Sequence, residues 1–265
     1  MEHHPKDGVL QTLLPSGAEI SGWQYYGKWE LHLNDKSINI QNTLPDFYLV
    51  GQQTISYKLT AQKGLAGIFG AALWPGTIFR LTGKPAHLFT NNPLGLGDAF
   101  EGTIVQNYIS DFKKSANDEQ RLQVLIDFFR QFRAENTTGI FNEAMQLIYT
   151  TKGCISVSEL CGKLHINERY LQRQFKQKVG VTPLAYLQII RFNNVFAQLS
   201  STAEDMPIEP LAMMFRYYDI SHFNKAHKKY FLTAPSKLML DKLALLRELI
   251  AQDPYLLQIQ KKYHN

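Results

Sequence analysis

The chain has 265 residues, 45% of them apolar, and carries 28 Lys and Arg against 23 Asp and Glu, a formal charge of +5. This length is typical of two domains of about 100–200 residues each, with enough apolar residues for a packed core. No run of about 18 apolar residues is present, so the sequence predicts no membrane span.

Two further features narrow the class of protein. The segment Met1 to Asp7 has an early acid and no apolar stretch after it, which is not the pattern of a secretory signal. The two cysteines, Cys154 and Cys161, lie seven positions apart in a segment with helical periodicity, so we expect neither a disulfide nor a zinc site. These features favour a cytoplasmic protein without a metal or other cofactor.

The positive charge is concentrated in the C-terminal half. Residues 152–229 contain 11 Lys and Arg and 6 Asp and Glu, so the rest of the chain, with 17 of each, is neutral. A basic segment joined to a neutral one indicates a polyanionic partner, such as nucleic acid, for the basic part. A solvated basic surface is the alternative that charge alone leaves open.

Residues 1–97 have the pattern of a β-rich domain. Short apolar or alternating runs at 29–33, 47–50, 55–59 and 66–70 are separated by turn residues. This spacing predicts a small sandwich or barrel, whose aromatic residues fill the core or, as the alternative, line a ligand pocket. The aromatic residues concerned are Trp23, Tyr25, Tyr26, Trp29, Phe47 and Tyr48.

The pattern becomes helical near Asp98. Residues 98–114 and 118–133 have helical periodicity, and Asn117 or Asp118 can cap the second of these helices. We therefore predict a helical connector over 98–139, with a short linker at its end.

Residues 140–240 are predicted as an all-α domain, followed by a helical tail at 241–265. The predicted helices are 140–150, 157–164, 167–179, 183–199, 210–215 and 221–231. Ser156 with Glu159 has the pattern of a capping box, and Thr182-Pro183 is a typical helix start. The fold class is therefore α+β, with a β-rich N-terminal domain, a helical connector and an all-α C-terminal domain.

The all-α domain contains the same plan twice, near 156–179 and near 208–231. Each copy has a short helix, a tight turn and a basic helix with an aromatic residue near its end. The first copy is followed by Gly180-Val181-Thr182-Pro183 and the second by Leu232-Thr233-Ala234-Pro235. This duplication predicts two helix-turn-helix units.

In this frame residues 140–238 resemble the DNA-binding domain of the AraC/XylS family, in which two helix-turn-helix units flank a linker helix. The positions that keep the family frame are Leu171, Phe175, Gly180, Thr182, Pro183, Arg191, Ala212, Tyr217, Ser221, His222, Phe223, Lys228, Phe231 and Pro235. The positions that depart from it are His165 and Arg216 at the two turns, and His227, Leu232 and Ala234 in the second unit. These departures indicate a smaller share of DNA contact for the second unit.

The N-terminal segment is similar to a sheet-rich domain of unknown function that often precedes this DNA-binding unit in bacterial regulators. This similarity implies a regulatory or sensor role for residues 1–97. The stretches that carry this similarity are Leu14–Ile20, Val50–Thr54, Gly67–Phe69 and Trp74–Gly76.

The resemblance implies a bacterial transcription regulator that is not an enzyme, with double-stranded DNA and RNA polymerase as partners. Arginine can reach guanine and glutamine can reach adenine in the major groove, whereas lysine suits phosphates. The candidate base-reading residues are Arg169, Gln172, Arg173, Ile220, Ser221, Asn224 and Lys225. The candidate phosphate contacts are Lys176, Lys178, Arg216, Lys228 and Lys229. We expect the first recognition helix to read bases and the second mainly to support binding.

Two alternatives remain open at this point. The departures in the second unit also fit a small-molecule-binding or protein-interaction module with a degenerate DNA-binding domain. The leucine-rich stretch Lys237–Gln252 has a broad apolar face, which packs on its own domain or joins two copies in a homodimer. The sequence identifies no effector ligand.

Overall fold

A computed structural model of the chain describes residues 2–3, 10–33, 44–61, 66–100, 103–132, 139–201 and 208–231. The described strands are β1 (Glu2–His3), β2 (Leu10–Leu13), β3 (Glu19–Tyr26), β4 (Trp29–Leu33), β5 (Phe47–Val50), β6 (Tyr57–Ala61), β7 (Ala66–Leu73) and β8 (Leu94–Gly95). The described helices are α1 (Thr77–Thr82), a 3-10 helix (Ala86–Phe89), α2 (Leu96–Ala99), α3 (Ile104–Lys114), α4 (Asp118–Arg130), α5 (Ile140–Thr150), α6 (Val157–Leu164), α7 (Glu168–Lys178), α8 (Pro183–Ser201), α9 (Ile208–Met214) and α10 (Ile220–Phe231). Strands precede most of the helices, which confirms the predicted α+β class.

The strands form two antiparallel sheets. One sheet has the order β1-β7-β3-β5-β8 and the other the order β2-β6-β4. Strand β3 is central in the larger sheet but was not among the predicted runs. Its buried polar side chains Glu19, Ser21 and Gln24 interrupt the apolar pattern from which strands are predicted. Two of these side chains have hydrogen-bond partners inside the fold: Glu19 accepts from backbone N–H groups, and the Gln24 amide donates to the Leu44 carbonyl at 2.6 Å.

The larger sheet is covered on both faces. Because side chains alternate along a strand, Phe47 and Leu49 of β5 join one apolar cluster while Tyr48 and Val50 join another. The first cluster includes residues of α3 and α4, and the second includes residues of β4 and β6. This double coverage explains why all four β5 residues are buried. Of the six aromatic candidates, Trp23, Trp29, Phe47 and Tyr48 are buried core residues.

Helices α3 and α4 pack on this sheet, in the segment predicted as a connector. The Phe112 ring lies edge-on to Trp23 with ring centroids 4.5 Å apart, and Tyr108 and Phe128 are 4.3 Å apart. The two helices therefore complete the core of the N-terminal half, which comprises the described residues between 2 and 132.

Helix α1 and the 3-10 helix lie within the segment predicted as β-rich. The start of α1 is fixed by a distant residue, because the buried Glu19 carboxyl group accepts from the N–H groups of Gly76 at 2.8 Å and Ile78 at 2.7 Å. Burial raises the pKa of Glu19 to about 8, against the opposing effect of these hydrogen bonds.

The C-terminal half, which comprises the described residues between 139 and 231, has two apolar cores that share α8. Tyr186, Leu187 and Ile190 lie in the core formed with α5, α6 and α7, while Ile189 and Phe192 lie in the core formed with α9 and α10. In the described part of the chain, no helix is long and apolar enough to cross a bilayer.

The N-terminal half packs on α8 through the loop between β2 and β3. The Tyr186 hydroxyl donates to the Gly17 carbonyl at 3.0 Å, and the Asn193 amide donates to the Ser16 carbonyl at 2.8 Å. Gly17 has φ 81°, and a Cβ there would lie 2.7 Å from the Ile190 side chain. Only glycine combines this conformation with so close an approach.

A second contact between the halves involves the C-terminal end of α7, which meets α1 and the 3-10 helix. The Thr90 hydroxyl donates to the Gly180 carbonyl at 3.1 Å. Nearby, the rings of Trp74 and Tyr149 lie 4.8 Å apart. The N-terminal half therefore contacts α5, the C-terminal end of α7 and the linker helix α8.

Candidate nucleic-acid interface

The two helix-turn-helix units have the same hydrogen-bonded turn. His165 follows α6 with φ 52°, and Arg216 follows α9 with φ 55°, so both are left-handed. In each turn the next N–H reaches back five positions to a carbonyl, at 3.1 Å in the first unit and 3.0 Å in the second. This bond belongs to the Schellman motif, which usually places glycine at the left-handed residue. The departures from glycine at these turns therefore change the side chain but keep the turn.

Both helices of the first unit, α6 and α7, start at capping side chains that can be recognised in the sequence. Ser156 accepts from the Glu159 N–H at 3.1 Å, and the Glu159 carboxylate accepts from the Ser156 N–H at 2.7 Å, which confirms the predicted capping box. Asn167 caps α7 by accepting from the Tyr170 N–H at 2.8 Å. These caps set the bounds of α6 and α7.

Helix α7 has one buried and one exposed face. Leu171 and Phe175 are 1% and 0% exposed and belong to the core of the first unit. The predicted contact residues on the exposed face are Arg169, Gln172, Arg173 and Lys176. The structure thus brings all three base-reading candidates of α7 onto one solvent-facing surface.

Two of these side chains have partners on α7 itself. The Gln172 amide donates to the Glu168 carboxylate at 2.8 Å, and the Arg173 guanidinium lies 5.5 Å from the centre of the Tyr170 ring. Both contacts lie on the exposed surface of α7, so the polar groups of Gln172 and Arg173 remain at the solvent-facing side of the helix.

Lys178 differs from Lys176, the other phosphate candidate of α7. It is half-buried at the C-terminal end of the helix, and its Nζ lies 5.1 Å from the centre of the Phe141 ring. Lys176, two residues earlier, is exposed.

Helix α10 repeats this arrangement with smaller polar groups. Asp219 caps it by accepting from the His222 N–H at 2.6 Å, and Phe223 is buried in the second core. Ile220 is half-buried against the same core, which leaves it little exposed surface for base reading. The exposed candidates are Ser221, Asn224, Lys225 and Lys228. The Lys229 side chain lies outside the described residues, as do the predicted end of the second unit at 232–235 and the tail.

Arg216 connects the two units. Its Nη1 lies 3.6 Å from a carboxylate oxygen of Glu159, and both side chains are more than half exposed. The hydrogen bonds from Ser156 hold the pKa of the Glu159 carboxyl below its usual value, and the Arg216 charge lowers it further. This phosphate candidate of the second unit therefore has a carboxylate partner in the first.

Arg191 of the linker helix makes a second connection. Its Nε and Nη2 donate to the Gly153 carbonyl at 3.0 and 2.9 Å, and its guanidinium lies 5.7 Å from the centre of the Tyr217 ring. It thus joins the loop before α6 to the turn of the second unit.

One residue near the second recognition helix was missed by sequence reasoning. The turn residues His165 and Arg216 are 51 positions apart, but the helix caps Asn167 and Asp219 are 52 apart. The extra residue is Tyr218, which is 88% exposed. The spacing between turn and cap, compared between the copies, is the sequence signal that would have shown it.

No group of three His, Cys, Asp or Glu side chains within the described ranges is placed to hold a metal ion.

The chain is similar to known proteins in part of its sequence and in its fold. Residues 160–240 match the model of a helix-turn-helix domain, of the AraC type. ToxT from Vibrio cholerae, at 15% identity, aligns over 91% of this chain and 96% of its own with a TM-score of 0.50. A second structure, of ToxT from Vibrio cholerae O395, has 14% identity over 91% and 95% of the two chains and a TM-score of 0.48. The C-terminal domain of AraT from Geobacillus stearothermophilus has 22% identity over 43% and 88%, with a TM-score of 0.34.

The family match confirms the resemblance to the AraC-type domain over residues 160–240, and the first ToxT structure shows the shared fold. The match supports a DNA-binding transcription regulator.

Proposed function

We propose that the chain, whose residues 160–240 match an AraC-type domain, is a sequence-specific DNA-binding transcription regulator in which α7 reads bases and α10 mainly supports binding. The observation that carries this proposal is the exposed face of α7. Arg169, Gln172 and Arg173 share that face, opposite the buried Leu171 and Phe175.

The chemistry of these side chains suits base recognition. Arginine donates two parallel hydrogen bonds to guanine O6 and N7, and glutamine pairs with adenine N6 and N7. In the helix-turn-helix motif the N-terminal part of the recognition helix contacts base edges. Arg169, Gln172 and Arg173 all lie in the first six residues of α7.

The second recognition helix offers shorter groups. Ser221 and Asn224 reach less far than arginine, and Lys225 provides a point charge without a fixed geometry. The half-buried Ile220 can touch a thymine methyl group but cannot make a directional contact. We therefore assign α10 a supporting role.

The linker helix α8 sets the distance between the units. It has 19 residues, about 28 Å of helix, and it is buried against both cores. With α8 as a rigid spacer, the two recognition helices would enter successive major grooves about 34 Å apart.

Phosphate contacts would surround these readers. Lys176 and Lys228 are exposed near the C-terminal halves of the two recognition helices, and we also assign this role to Lys178, Arg216 and Lys229. Each phosphate that a lysine neutralises adds about −0.9 to the slope of log K against log salt.

The test is the salt dependence of binding to a mixed-sequence duplex, measured by fluorescence anisotropy with the full chain. We expect the logarithm of the binding constant to fall linearly with the logarithm of the salt concentration. In the double variant Lys176→Ala/Lys228→Ala the slope should become less negative by about 2. Lys58→Ala removes an exposed lysine of β6 and is the matched control. Absence of binding at low salt would contradict the proposed function.

A further inference from the structure

The extra residue of the second unit lies immediately before the cap of its recognition helix. In the first unit, Ile166 follows the left-handed turn residue and directly precedes the cap Asn167. In the second unit, Tyr217 follows the turn residue, and Tyr218 then separates it from the cap Asp219.

The buried role after the turn is the same in both units. Ile166 packs against the first core, and Tyr217, 6% exposed, packs in the second. Because Tyr217 already fills this position, the additional residue has no place in the core. Tyr218 is therefore directed to solvent and is 88% exposed.

The place of Tyr218 is determined by the geometry of the motif. A recognition helix enters the major groove with its N-terminal residues towards the bases. A side chain just before the helix cap lies outside the first turn of the helix. The sugar-phosphate backbone at the edge of the major groove passes at this position. Its charged sequence neighbours on the two sides are Arg216, whose guanidinium lies 3.6 Å from Glu159, and the cap Asp219, whose carboxylate accepts from the His222 N–H.

We propose that Tyr218 is a DNA contact of the second unit and that its hydroxyl donates to a phosphate oxygen at the rim of the groove; this inference rests on the proposed function. Tyrosine is one of the side chains that bond to DNA phosphates, and such bonds position the protein without reading sequence. This contact adds to the affinity of the unit that has the shorter base-reading side chains.

A neutral hydroxyl and a lysine differ in a measurable way at a phosphate. Lysine neutralises the phosphate and releases counterions, whereas the tyrosine hydroxyl forms a hydrogen bond and leaves the charge in place. Loss of Tyr218 is therefore expected to lower affinity without changing the salt slope.

The experiment compares Tyr218→Phe and Tyr218→Ala with the wild-type full chain, on a mixed-sequence duplex and on a duplex selected from a random pool. We expect both variants to bind each duplex about five- to tenfold more weakly at every salt concentration. Because the side chain is so exposed, thermal unfolding should be unchanged. Leu122→Ala, which truncates a 49% exposed side chain of α4, is the control and should bind as the wild type does.

Unchanged affinity in both variants overturns the contact. A loss confined to the selected duplex, with a changed base preference, overturns the assignment to phosphate, and so does a loss in Tyr218→Ala that Tyr218→Phe does not share. Failure of the wild-type chain to bind the mixed duplex contradicts the proposed function instead, so the two failures are distinguishable.

Discussion

The two helix-turn-helix units share their turn and cap geometry but have different surroundings. Both turns are left-handed, and both recognition helices start at an Asn or Asp cap. The first unit contacts the N-terminal half through the end of α7, where Thr90 bonds to Gly180. The second is joined to the first by α8 and by the pair of Arg216 and Glu159.

The turn and cap geometry is thus common to both units, whereas the contacts of each unit with the rest of the protein differ. Capping and turn geometry repeat because they are satisfied by residues a few positions apart. The length of the polar side chains on the exposed face of a recognition helix is not constrained by these local hydrogen bonds. The unit that is held by the rest of the protein is also the one with the longer base-reading side chains.

The largest expected effect concerns Glu19, which fixes the start of α1 beside the first unit. Its pKa is about 8 in the folded chain against an ordinary value of 4.5, so the folded state binds more protons between these values. The stability contributed by Glu19 is therefore complete below about pH 4.5 and is lost as the pH rises towards 8. The slope can approach ~1.4 kcal/mol per pH unit.

The measurement is the free energy of unfolding in urea from pH 5 to 8, for the wild type and for Glu19→Gln, which cannot titrate. We expect the wild type to lose stability relative to the variant as the pH rises. A protonated carboxyl stretch in the infrared spectrum at pH 6 gives an independent readout if the variant folds poorly. A difference that is flat with pH, or absence of that band, would show that Glu19 is ionised throughout.

The next effect concerns the contact between the end of α7 and the N-terminal half. Gly180 has φ 91°, and a Cβ there would lie 2.4 Å from the Thr90 hydroxyl and 2.8 Å from the Ala86 carbonyl. Gly180→Ala should therefore lower the free energy of unfolding by about 2–3 kcal/mol. Gly162→Ala is the matched control, because Gly162 lies within α6 with no atom close to its added Cβ, and it should be stabilising. Equal effects of the two substitutions would refute the close packing.

The two recognition helices can be compared directly by truncating one reader in each. Arg173→Ala should cost about 1–3 kcal/mol of binding to the selected duplex, and Lys225→Ala less than about 1 kcal/mol. Arg173→Ala should also relax the base preference at one position, whereas Lys225→Ala should weaken all sequences similarly. Competition binding with single-base variants of the duplex measures both, and a larger loss from Lys225→Ala would reverse the assignment of roles.

The smallest expected effect concerns the pair that joins the units. Glu159→Gln keeps the side-chain length and the capping oxygen but removes the charge beside Arg216, so Arg216 is freed for phosphate. DNA affinity should rise about twofold, as expected for an exposed ion pair. Glu143→Gln removes an exposed acid of α5 and is the control. A decrease in affinity would show that the pair orders Arg216 for binding.

The features predicted from sequence are those with local causes. Helices α5 to α8 begin and end within about two residues of the predicted bounds, because caps such as Ser156, Asn167 and Thr182 act within one turn. Strand β3 and helix α1 were missed because the buried Glu19 belongs to β3 and accepts from Gly76, 57 positions away, at the start of α1. Tyr218 was missed for a related reason, since an insertion of one residue is visible only when the hydrogen bonds of the two copies are aligned.

The most direct test of the difference between the units is selection of bound duplexes from a random pool with the full chain, followed by footprinting on the selected site. We predict protection over two segments about one helical turn apart, with strong base preference in the segment bound by α7 and weak, thymine-rich preference in the other. Equal information content in the two segments would contradict the assignment of base reading to α7. Protection of one segment alone would show that the second unit does not bind DNA.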